Sequence, residues 1–127
     1  DYKAGFCVIE CLGEWNDTLY NDIMYLYRNV AEILMDAGIR KFILIGENVL
    51  NFHADDDSYY QEWFDGIEDG WIACINFREH VLDEIHRGRL DYYLAIGGKL
   101  DHINWRTLNP KQLFTLIDSL IMKRLTA

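Results

Sequence analysis

A chain of 127 residues, half of them apolar and 14% aromatic, suits one domain whose core needs no disulfide or metal staple. Twelve Lys and Arg against 21 Asp and Glu leave a formal charge of −9. A surface of that sign repels phosphate backbones and anionic headgroups, which argues against nucleic acid and the membrane surface as partners.

One proline and the lack of any low-complexity run argue against disorder. No stretch reaches the ~20 apolar residues of a membrane helix.

Residues 6–12, FCVIECL, read as a strand ended by Gly13. Cys7 and Cys11 are an even spacing apart and share a face of it. With Cys74 they make an odd set without a Cys-x-x-Cys pair. Buried reduced thiols are expected, and with them a cytoplasmic location. Asn16 or Asp17 is predicted to cap a long helix. Leu19, Ile23, Leu26, Val30, Ile33, Leu34 and Ala37 would line its inner face, with Gly38 as a left-handed C-terminal cap.

Residues 41–46, KFILIG, form a continuous apolar run, as in a strand covered on both faces. A loop follows over 47–57, and Ser58 with Gln61 has the spacing of a capping box. Trp63, Phe64 and Ile67 give the next helix its apolar side, and Gly70 closes it. A third strand is predicted at 71–77, WIACINF. A helix over 78–87 follows, with Val81, Leu82 and Ile85 inward and Gly88 at its end. Residues 91–96, DYYLAI, read as a fourth strand. Asn109, Pro110 and Gln112 occupy the cap, first and third positions of a last helix, whose inner face is Leu113, Leu116, Ile117, Leu120 and Ile121. The expected fold is a single α/β domain over residues 1–127. Its order is βαβαβαβα, with about four mainly parallel strands covered by helices.

In such a sheet ligands bind beyond the carboxyl ends of the strands. Glu14, Glu47, Asn48, Arg78 and Lys99 would share that rim and are the candidates for acid–base chemistry. In the 47–59 loop, ENVLNFHADDDSY, His53, Asp55 and Asp57 (with Asp56 between) are candidate ligands for a hard or borderline cation. The loop lacks the alternation of a calcium site, and helix capping explains its acids as well. His80, Asp83, Glu84 and His86 match no helical zinc motif and read as a solvated face. No phosphate-cradling glycine loop or Gly-x-Ser-x-Gly elbow occurs, so no cofactor is expected. Trp15, Tyr59, Tyr60 and Trp105 fall in loops or at helix starts, where aromatic residues serve as interface anchors or pack locally.

The run FILIGENVLNFHADDDSYY resembles the middle of a STAS-type domain, the family of anti-sigma-factor antagonists and sulfate-transporter tails. Those domains place a buried strand, a loop, and an Asp-Ser pair at a helix start. Asp57-Ser58 sits at that place. The likeness covers residues 42–58 in pattern and about 6–125 in order of elements. It implies a regulatory module in which Ser58 is phosphorylated to control docking. Here Tyr59 and Tyr60 follow the pair, where the family prefers small residues, and Asp55 and Asp56 would repel an added phosphate.

The sequence therefore favours a small interaction or regulatory module that is not an enzyme. It would dock a protein partner, or a second copy, through the 47–60 loop with Asp57, Ser58, Tyr59, Tyr60, Trp15 and Trp105. The alternative is a small enzyme or ligand binder at the strand-end rim.

Overall fold

The structure, a computed structural model, describes residues 1–126. Three strands form its sheet: β1 (Phe6–Asn16), β2 (Lys41–His53) and β3 (Trp71–Ile75). They are parallel and lie in the order β1-β2-β3. Helix α1 comprises Asp22–Leu26, a π-helical stretch Tyr27–Ala31, and Glu32–Asp36. The others are α2 (Ser58–Asp65), α3 (Glu79–Arg87) and α4 (Pro110–Thr126).

The sheet is covered on both faces, as the apolar run in β2 implied. Phe42, Leu44, Ile72 and Cys74 point to one side, under α1, α2 and α3. Ile43, Ile45, Ala73 and Ile75 point to the other, under α4 through Leu113, Ile117 and Ile121. Alternation along a strand produces this split. Asp118 ties α4 down, accepting from Lys41 Nζ at 2.9 Å and Trp71 Nε1 at 3.1 Å. The start of α4 follows the sequence reading. Asn109 Oδ1 accepts from the Gln112 N–H at 2.8 Å, and Gln112 Oε1 accepts from the Asn109 N–H at 2.9 Å.

Four expectations need correction. The fourth strand at 91–96 is not formed: Leu90–Tyr92 is a 3-10 turn, and only Ala95 bridges to Ala73. Leu90 and Leu94 turn into the core while Asp91 and Tyr92 are exposed, so the turn leaves only Ala95 to pair with β3, through bonds of 2.8 and 2.9 Å. The order over the described residues is thus βαβαβαα, not βαβαβαβα.

The second correction concerns the 47–57 loop, since β2 continues through it to His53. Register shifts between Glu10/Leu12 and Gly13/Glu14 place two extra residues in β2, which has 13 residues against 11 in β1. These bulges turn Val49 and Phe52 into the helix-covered core and leave Leu50 exposed. The polar and apolar residues alternate irregularly there because of the bulges, which made a strand read as a loop.

Third, α1 begins at Asp22, not after Asn16 or Asp17, and Leu19 is exposed. Its buried residues are Ile23, Tyr27, Ala31 and Met35. The wider π turn keeps side chains four apart on one line, which strict α geometry rotates away. Val30 and Ile33, expected inward, are exposed. Gly38 does cap α1 with φ +97°, and Ile39 N–H returns to Leu34 O at 3.0 Å.

Fourth, α2 ends at Asp65 with Gly66 as its cap, not at Gly70, whereas Gly88 ends α3 as expected and Arg89 after it is left-handed at φ 58°. Gly46 matters for space. A Cβ there would fall on the Phe77 ring. Gly46→Ala is expected to cost about 1–3 kcal/mol in urea unfolding, with part of the loss recovered when Phe77→Leu is added. Equal loss in the single and double variants would contradict this packing.

Candidate functional site

The five rim candidates do not converge. Glu47 and Arg78 do meet, where β2 passes the loop after β3. Arg78 Nε donates to Glu47 O at 3.1 Å, and Glu47 Oε2 accepts from Trp105 Nε1 at 3.1 Å. Arg106 pairs with the other Glu47 oxygen and lies 4.3 Å over the Trp105 ring. The Trp105 hydrogen bond, with Arg106, holds the Glu47 carboxyl below its ordinary value. Asn76, at φ 57°, locks the same corner through a pair of bonds to Ile103, of 2.7 and 2.8 Å. Glu14 and Asn48 stand instead on the exposed face of the β1–β2 ribbon. Asn51 Nδ2 donates to Glu14 at 3.4 Å, and Asn48 Nδ2 to Glu10 at 3.5 Å. Lys99 is exposed on the Gly98–Asp101 turn.

The metal candidates are also separated. His53 and Asp55 are exposed, and Asp57 Oδ2 accepts from Tyr93 O–H at 2.6 Å. Among the described residues no three His, Cys, Asp or Glu side chains are placed to hold an ion. On α3, His80 bonds to Leu50 O at 2.5 Å, and His86 lies 3.4 Å from Asp91. The three thiols are unpaired, and burial pushes Cys11 up to about 11, which leaves it protonated at neutral pH.

The start of α2 differs in detail from a capping box. Asp57, not Ser58, is the cap residue, and Ser58 is the first helical residue. Asp56 Oδ1 accepts from the Ser58 N–H at 2.9 Å, and that bond holds the Asp56 carboxyl low. Ser58 is exposed.

The anchoring aromatics take different places. Tyr60 is buried and Trp15 half-buried. Tyr60 O–H donates to Asp17 Oδ2 at 2.6 Å while accepting from Trp15 Nε1 at 3.0 Å. Asp17, 3% exposed, also accepts from the Ile23 N–H at 2.8 Å. Burial pushes its carboxyl up, opposed by these bonds. Trp15 stacks on Phe52, with ring centres 6.1 Å apart. Tyr59 is half-buried against Tyr27, under Arg28. Beside this cluster a cavity of about 20 Å³, lined by Cys11, Trp15, Tyr60 and Cys74 among others, has room for about one water.

The surface feature missed by sequence reasoning is a groove of about 550 Å³ along the outer side of β3. Phe64, Tyr92, Tyr93, Leu94, Met122 and Leu125 line it. Tyr92 is 76% exposed and Leu125 74%. The rings support each other: Tyr92–Tyr93 centres lie 5.1 Å apart, Phe64–Tyr93 5.8 Å and Phe64–Tyr92 6.2 Å. Tyr93 is the residue bonded to Asp57, so the groove is fastened to the start of α2. The adjacent Tyr92-Tyr93 pair was the one signal in the sequence, and it was absorbed into a strand that does not form.

Fold and surface together define a small α/β domain with a three-stranded parallel sheet and an aromatic groove left open among the described residues. No helix among the described residues is long and apolar enough to cross a membrane. No family model, curated protein or solved structure matches the chain.

Proposed function

We propose that the chain is a protein-interaction module working in the cytoplasm, docking a partner through the Phe64–Tyr92–Tyr93 groove and the adjoining start of α2. The ring cluster carries this reading. Large rings already packed on one another lose little freedom on binding, and aromatic residues supply most anchors of protein interfaces. Placement of the latch residue Asp57 beside the rings joins the 54–57 loop to the same surface. The rim reading of a small enzyme has less support, because Glu14, Asn48 and Lys99 stand apart from Glu47 and Arg78.

The test is a pair of baits in source-cell extract: wild type, and Phe64→Ser with Tyr92→Ser. Tyr92 is 76% and Phe64 39% exposed, so the variant is expected to lose some stability but to remain folded, which its urea unfolding curve checks. A partner held by wild type and lost by the variant supports the groove. The same proteins on both baits would sink it.

The STAS-type resemblance adds Ser58 as a control point within this reading. It is exposed one residue from the latch, and free N–H groups at a helix start favour phosphate. A phosphate there would displace the Asp56 bond. A third bait, Ser58→Glu, is expected to lose the partner if that control exists.

A further inference from the structure

A second surface lies on the far side of the sheet. The strand order leaves β1 with one partner. From Cys7 to Trp15, no backbone hydrogen bond among the described residues closes its other side. On the helical face this edge is overhung by α1. Arg28 of α1 reaches across to Glu62 of α2 at 3.5 Å, so the opposite flank of α1, carrying Leu26 and Val30 four residues apart, faces beyond β1. Val30 is 36% exposed. On the other face Glu10, Leu12 and Glu14 are exposed at alternate positions. The edge thus presents an apolar strip, a row of unpaired backbone groups and an acidic strip, side by side.

We propose that this edge takes an extended segment of a protein partner as an added strand. That segment carries apolar residues at alternate positions and Lys or Arg between them. Its backbone completes the open side of β1. Its apolar side chains pass beneath Leu26 and Val30, and its cations meet Glu10 and Glu14. Those glutamates accept only from Asn48 and Asn51 and have no ion-pair partner among the described residues. Charges on an edge also guard it against self-pairing. Guarding does not explain the uncovered apolar flank of α1.

A second copy fits this edge poorly. Two β1 edges related by a two-fold axis run antiparallel, with facing residues on the same face. Centring the axis anywhere from Ile9 to Glu14 sets a glutamate of one copy directly or diagonally opposite a glutamate of the other. Each copy also brings a charge of −9. A basic strand turns the same positions into attractive cross-strand pairs.

The probe is the peptide acetyl-(Lys-Val)₄-amide, titrated into ¹⁵N-labelled protein. Amide shifts are expected along Cys7–Trp15 and at Leu26 and Val30. Glu10→Lys with Glu14→Lys, both at exposed positions, is expected to weaken this peptide at least about tenfold and to gain binding of the (Glu-Val)₄ counterpart. Two N-methylated peptides, one blocked at every Lys nitrogen and one at every Val nitrogen, separate strand pairing from charge attraction. One is expected to lose binding and the other to keep it, because alternate N–H groups face the partner strand. Absence of shifts on β1, or equal binding of both methylated peptides, overturns the proposal. So does a concentration-dependent dimer with the same β1 shifts, which would assign the edge to a second copy. The groove variants Phe64→Ser and Tyr92→Ser leave this binding unchanged, so the two surfaces stand or fall separately.

Discussion

Replacing Gly70 by alanine is expected to cost about 3 kcal/mol, among the largest losses available to a single methyl group in this chain. Gly70 immediately precedes β3. A Cβ on it would fall on the Arg40 carbonyl oxygen and lie 2.7 Å from the carbonyl carbon. That oxygen accepts the Trp71 N–H at 3.1 Å and opens the β2–β3 ladder, in which Lys41 pairs with Trp71. A side-chain neighbour yields by changing rotamer, as Phe77 does at Gly46. A backbone carbonyl in a ladder yields only by parting the strands. The midpoint of urea unfolding reads the loss, and Gly70→Ala should exceed Gly46→Ala. Near-wild-type stability of Gly70→Ala would contradict the close approach.

Tyr60→Phe is expected to cost about 2–3 kcal/mol at neutral pH, although it removes one oxygen and no core volume. That oxygen is a hub, donating to Asp17 and accepting from Trp15. Its loss leaves an indole N–H and a buried carboxylate short of partners. The pH dependence follows from Asp17, whose carboxyl burial pushes above the ordinary 3.8. The native state then holds this proton to higher pH than the unfolded chain does. Asp17's contribution is therefore greatest below the ordinary value and declines as pH rises through the folded one. Tyr60 O–H opposes the upward shift, so removing it extends the decline upward. The cost of Tyr60→Phe should be larger at pH 7 than at pH 4, and Asp17→Asn should flatten the slope. A cost independent of pH would show that the hydroxyl acts without the carboxyl.

The parts legible in the sequence were those where local chemistry and tertiary packing agree. The apolar run at 41–46 announced a doubly covered strand. Asn109, Pro110 and Gln112 announced the start of α4, and Gly38 the end of α1. The errors arose where tertiary contacts decide. Two bulges in β2 convert ENVLNFH from an irregular polar run into a strand. A π turn shifts the buried line of α1 onto Tyr27 and Ala31. The segment DYYLAI has strand composition, yet it meets β3 at a single bridge. The candidate sites were less legible than the fold. Asp57 and Ser58 were placed correctly at a helix start. The value of Asp57 is its bond to Tyr93, 36 residues away, which no spacing rule reveals. Trp15 and Tyr60 read as surface anchors because they flank loops, and they belong instead to a buried network around Asp17.

The most direct measurement on the interaction reading is amide hydrogen exchange on the chain alone and on the chain recovered with its bound partner. Docking at the groove is expected to slow exchange over residues 90–95 and at the end of α2 near Phe64, with the buried strand β3 unchanged. Full exchange at 90–95 in the bound chain, with slowing confined to the Glu47–Arg78 corner, would contradict the groove and return the strand-end rim as the working surface.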